Sequence, residues 1–160
     1  YQCSETILKC FPKLSFPTSL PKVCSVHDIE LLLSFPNKST KQGYRDFLLL
    51  DCLYSTGMRV SECVNLMIKD VNLSDGFIVI KGKGNKVRHV PLTKNLYQSF
   101  LSYFNSFQCS SIYIFDSLSG KPLSRQGAYL ILKKYVKQLP SRLHYLTPHS
   151  LRHAFATHII

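Results

Sequence analysis

The run Phe-Leu-Leu-Leu at residues 47–50 constrains the fold more than any other stretch of the chain. It lies inside a segment of helical pattern from about residue 40 to 55, and there the helix is apolar nearly all round. A helix of that kind has no face to offer to water, so the sequence predicts a buried helix. Gly57 follows as a C-cap, the position where a left-handed residue stops a helix. A chain of 160 residues can bury such an element in a single domain. The 45% hydrophobic and 18% charged content is that of a globular chain rather than a disordered one.

The elements around this helix follow from local signals. Residues 1–24 carry Pro12, Pro17, Pro21, Lys13 and Lys22 and are expected to be an interdomain linker. A first helix is expected from the capping-box-like Ser25 to Asp28, with Pro36 ending it. A short helix is predicted over about 60–67, then a turn at 72–76. The β-branched and aromatic run 77–81 and the run 87–92, joined by G-K-G-N-K at 82–86, predict a basic β-hairpin. Helices are predicted over about 93–107 and 124–138 and from about 149 onward, where Pro148 sits at the helix start. A short strand is expected at 112–115. No internal repeat is visible.

The charge points to a polyanionic partner. The chain holds 20 basic and 9 acidic residues, a net +11. Asp116 is the last carboxylate, whereas Lys121, Arg125, Lys133, Lys134, Lys137, Arg142 and Arg152 all follow it. Six cysteines occur without a C-x-x-C pair or zinc spacing, and Cys52 and Cys63 sit among apolar residues as small buried hydrophobes. A reduced, cytoplasmic setting is expected, with no membrane partner.

Three motifs carry chemistry when taken together: T-G-M-R-V-S-E at 56–62, K-G-K-G-N-K-V-R-H-V-P-L at 81–92, and T-P-H-S-L-R-H at 147–153 followed by A-F-A-T-H. Glycines in the second motif do not make a phosphate-binding P-loop, because the spacing is wrong and a strand follows. His149 and His153 stand at i and i+4, but no nearby carboxylate completes a metal set, so neither metal nor cofactor is expected. His149 and Arg152, three apart, share one helix face.

In order and approximate spacing, these motifs resemble those of the tyrosine recombinase family, most closely its Xer-like and phage or plasmid integrase members. The resemblance implies a mainly helical α+β domain with a small antiparallel sheet, over 25–160, truncated at its C-terminus. It implies Arg59, Lys83, His149 and Arg152 as the residues that activate a DNA phosphodiester. Two arginines would clamp the non-bridging oxygens. Lys83 would protonate the leaving 5′-oxygen, with Lys81 and Lys86 as nearby alternatives, and His149 would give acid–base help. Lys81, Lys86, Arg88, Arg125 and His153 are expected to contact DNA. Glu62 is expected to buttress the Arg59 turn. The family's tyrosine nucleophile has no match here, because Tyr145, the last tyrosine, precedes His149. Double-stranded DNA is the implied partner, with self-association into a tetrameric synapse. A non-catalytic DNA-binding relative and a type IB topoisomerase-like enzyme are the alternatives.

Overall fold

Helix α2, Lys41–Thr56, is the hub of the structure. The computed structural model describes residues 24–82, 84, 86–117 and 119–158. Thr40 caps α2 by accepting from the Gly43 amide. Residues Phe47 to Leu53 along it are all buried. The other helices close around it: α1 (Val26–Ser34), α3 (Val60–Val64), α4 (Lys94–Ser106), α5 (Arg125–Val136) and α6 (Pro148–His158) each pack against α2. The buried all-round helix of the sequence is thus observed. Truncating one of its fully buried leucines, such as Leu48 or Leu49, is expected to cost about 2–5 kcal/mol.

The buried charges within this core are paired. Arg45 and Asp46 meet at 2.7 Å, and Tyr135 of α5 donates to the second Asp46 oxygen at 2.9 Å. Asp51 accepts from Ser55 and Ser99, and burial pushes its carboxyl above the usual carboxylate range. Cys52 and Cys63 are fully buried, as small hydrophobes would be.

A three-stranded antiparallel sheet, order β1-β2-β3, flanks the helices. It comprises β1 (Val71–Asn72), β2 (Phe77–Lys81) and β3 (Val87–Pro91). Ile78 and Ile80 turn one face of β2 into the core. In register, Ile80 faces Arg88 and Ile78 faces Val90.

Two local expectations differ from the structure. The helix predicted over about 60–67 stops at Val64. Beyond it the backbone bonds a distant segment instead: Ile114 N–H donates to Leu66 O and Ile68 N–H to Ile112 O, at 3.0 and 2.9 Å. The strand expected at 112–115 is reduced to a single bridge between Met67 and Tyr113. Of the expected linker, residues 1–23 lie outside the described residues, and Cys24 is buried.

Candidate active site

Gly57 is the point on which the site is built. It ends α2 with φ +58°, a conformation that disfavours any side chain. A Cβ there would also stand 2.4 Å from Cδ1 of Phe155 on α6. Only glycine therefore lets the turn and α6 come this close. Through that approach, Arg152 Nη1 on α6 donates to the Gly57 carbonyl. Arg59, two residues past Gly57, is the cap residue before α3. The structure thus brings the two arginines of separate motifs to one turn, although about ninety residues of chain lie between them.

Arg59 presents its guanidinium outward, with 65% of the side chain exposed. Its backbone amide donates to Glu62 Oε2 at 2.8 Å, the reciprocal half of a helix-start cap. Its Nη1 lies 3.4 Å from Glu62 Oε1. Glu62 does buttress this turn, but a second arginine holds it more closely. Arg88 of β3 forms a fork onto Glu62, with Nη1 to Oε1 at 2.9 Å and Nη2 to Oε2 at 2.8 Å. That pairing, with the Arg59 amide, lowers the Glu62 carboxyl to about 2. Arg88 was expected on flanking DNA phosphates; its fork is occupied by Glu62.

Helix α6 carries the third motif. Thr147 and Ser150 cap its start reciprocally, each side-chain oxygen accepting from the other's amide at 3.2 Å. Lys133 of α5 steadies the preceding loop by donating to His144 O and Leu146 O, both at 2.9 Å. His149 and His153 are exposed, with their Nε2 atoms 2.8 Å apart. One ring nitrogen must carry the proton of that bond, so the two imidazoles share it. His158, at the far end of α6, is not part of this pair. Its Nε2 donates to Cys24 O at 3.0 Å, which fixes the tautomer and leaves Nδ1 to accept from Tyr54 Oη at 3.0 Å. Among the described residues no group of three or more His, Cys, Asp or Glu stands together as a metal site.

Of the remaining expected site residues, the structure describes Lys81, Lys86 and Arg125. Lys81 and Lys86 are exposed at the base of the hairpin, where Gly82 N–H donates to Lys86 O at 2.8 Å. Lys83 lies outside the described residues. Arg125 is exposed at the start of α5, which Ser124 caps and which packs against α3. The sequence did not reveal the Arg88–Glu62 fork or the Lys133 brace. The alternation of β3 held a signal for the first: Val87, His89 and Pro91 are exposed, whereas Arg88 and Val90 turn inward.

Chemically, the arrangement offers an exposed arginine, a second arginine anchored beside it, and two imidazoles one helical turn apart. Such donors suit an anionic tetrahedral group.

The model of the phage integrase family matches residues 22–160. The tyrosine recombinase XerD of Staphylococcus haemolyticus (strain JCSC1435) is 39% identical over 97% of this chain and 54% of its own length. The XerD of Staphylococcus aureus (strain N315) is 38% identical over the same shares. The chain therefore spans about half the length of the curated relatives it matches. Among solved structures, the XerH site-specific recombinase bound to difH substrate in a pre-cleavage complex superposes with TM-score 0.68. It is 29% identical over 88% of this chain and 43% of that one. The XerA recombinase shares the fold, with TM-score 0.71 and 24% identity over 88% of this chain and 51% of that one.

Proposed function

The chain belongs to the phage integrase family, and from that premise we propose that it is the phosphate-activating part of a site-specific tyrosine recombinase. The parent protein breaks and rejoins double-stranded DNA through a 3′-phosphotyrosyl intermediate. The observation that carries this reading is the convergence of Arg152 on the carbonyl of Gly57, two residues from Arg59.

In the proposed step a tyrosine hydroxyl attacks the scissile phosphorus. The new bond joins the tyrosine oxygen to phosphorus, and the bond to the 5′-oxygen breaks. Arg59 and Arg152 clamp the non-bridging oxygens, where negative charge grows in the transition state. A guanidinium is a donor only and takes no part in proton transfer, so the clamp needs no proton balance. His149 takes the tyrosine proton or holds an oxygen by hydrogen bond. Lys83 gives a proton to the departing 5′-oxygen. Lys81, Lys86, Arg125 and His153 contact neighbouring DNA. The tyrosine itself is supplied from outside these 160 residues. Recombination proceeds in a tetrameric synapse on DNA, in the cytoplasm.

The test uses the full-length parent protein and a nicked suicide duplex that traps the covalent product. A covalent protein–DNA adduct is expected, and Arg59→Lys and Arg152→Lys should each suppress it. Salt-dependent DNA binding without any adduct would instead indicate a non-catalytic relative. Supercoil relaxation with no strand exchange between sites would indicate a topoisomerase.

A further inference from the structure

Arg88 stands on the inward side of its strand. Its partner in register is the buried Ile80, and its neighbours Val87 and His89 are exposed on the other side. The Arg88 side chain is 40% exposed, so it is not confined to the core. Arg88 puts both guanidinium nitrogens on the two oxygens of Glu62, at 2.9 and 2.8 Å.

Glu62 is only 7% exposed, so its charge depends on the donors around it. Those donors come from two elements. From the turn before α3 come the Arg59 amide at 2.8 Å and Arg59 Nη1 at 3.4 Å. From β3 comes the Arg88 fork. One carboxylate thereby joins the hairpin to the turn that carries Arg59. A fork is a stiff joint, because two parallel hydrogen bonds fix orientation as well as distance.

We propose that Arg88 is a positioning residue for the phosphate clamp: it holds Glu62, and through Glu62 it sets Arg59 and ties the hairpin whose sequence includes Lys83 to the Arg59 turn. This rests on the phosphoryl-transfer reading above. It assigns Arg88 a role other than direct contact with a DNA phosphate. Losing the strut lets Arg59 drift from the scissile group, and a displacement near 1 Å can cost about 10²-fold in rate.

The experiment compares single-turnover cleavage of a nicked suicide duplex at saturating DNA with DNA affinity across a salt series. It uses the full-length parent protein. Arg88→Gln is expected to slow cleavage by about 10²-fold. Its DNA affinity and the slope of log K against log salt should match wild type. Lys86→Gln and Arg125→Gln should each lower that slope by about one, as phosphate contacts do. The double variant Glu62→Gln/Arg88→Gln should cleave no more slowly than Glu62→Gln alone, because both changes remove one device. Arg88→Lys keeps the charge and fold but loses the fork, so its rate should fall between wild type and Arg88→Gln. It also serves if Arg88→Gln does not fold. If Arg88→Gln lowers the salt slope by about one and cleaves at the wild-type rate once saturated, Arg88 is a phosphate contact and the proposal is overturned. Multiplicative effects of the Glu62 and Arg88 changes would overturn it as well. If wild type itself forms no adduct, the phosphoryl-transfer reading fails and this proposal falls with it.

Discussion

The two arginines at the centre of the site are held by opposite kinds of support. Arg152 belongs to α6, which lies against the buried hub helix, and its guanidinium is anchored on the backbone carbonyl of Gly57. Arg59 belongs to a turn at the surface and is anchored by side chains, through Glu62 and then Arg88. One arm of the proposed phosphate clamp is therefore fixed by core packing. The other is fixed by an electrostatic joint that reaches across to a β-hairpin. Core packing changes only when the core is disturbed, because interiors are close-packed and resist small shifts. A joint between side chains can be loosened by one substitution or by protonation. The difference makes the Arg59 side the adjustable half of the site and the Arg152 side the rigid half.

The comparison can be broken most sharply at the clamp. Arg152→Lys and Arg59→Lys are each expected to lower covalent adduct formation by about 10²–10³-fold, the usual cost of removing one donor that meets developing charge. Single-turnover cleavage by the full-length parent protein measures this. If either variant cleaves at the wild-type rate, the two arms do not serve one phosphate.

A smaller effect is expected at the rigid half. Gly57→Ala puts a Cβ at positive φ and against Phe155. It should cost about 1–3 kcal/mol of stability, visible as a lower urea midpoint with an unchanged slope. No change in midpoint would mean that α6 is not seated on this turn.

The adjustable half should respond to acid. The Glu62 carboxyl is lowered from 4.5 to about 2 by the Arg88 hydrogen bonds and the Arg59 amide. Its stabilisation is therefore complete above about pH 4.5 and is lost as pH falls through about 2. Solvent at the partly exposed Arg88 screens the pair, which leaves about 1–2 kcal/mol. Wild type should exceed Glu62→Gln by that amount at pH 6, and the gap should close toward pH 2 in urea unfolding. A gap that does not change with pH would remove the ionised carboxylate from the account.

The smallest expected effect is at the loop before α6. Lys133→Met removes the donor to the His144 and Leu146 carbonyls. It should cost about 0.5–1 kcal/mol, read as a shift in thermal midpoint. An unchanged midpoint would show that water replaces this brace.

Local signals made most of the fold legible in the sequence. Ser25, Gly57, Ser124 and Pro148 mark helix ends by their own chemistry, and each stands where the sequence put it. The hairpin strands were equally plain from their residue types. The end of α3 at Val64 was not, because Leu66 and Ile68 give their backbone groups to residues 112–114, and no local pattern announces a partner so far along the chain. Arg59, His149 and Arg152 were legible as motif residues. Their convergence depended on Phe155 packing under Gly57, a contact between elements far apart in sequence. Arg88 was visible as a basic residue in a basic hairpin, and its inward orientation emerged only with the strand register. His158 closes the A-F-A-T-H run in the sequence, and only the fold commits its two ring nitrogens to Tyr54 and Cys24.

On the proposed function, Arg59 and Arg152 grip one phosphate. A crystal structure of the full-length parent protein on a nicked cognate duplex tests it most directly. A single scissile phosphate is expected, with its non-bridging oxygens within about 3 Å of both guanidinium groups. Guanidinium groups bound to two different phosphates, or an Arg59 turned away from the DNA, would contradict it.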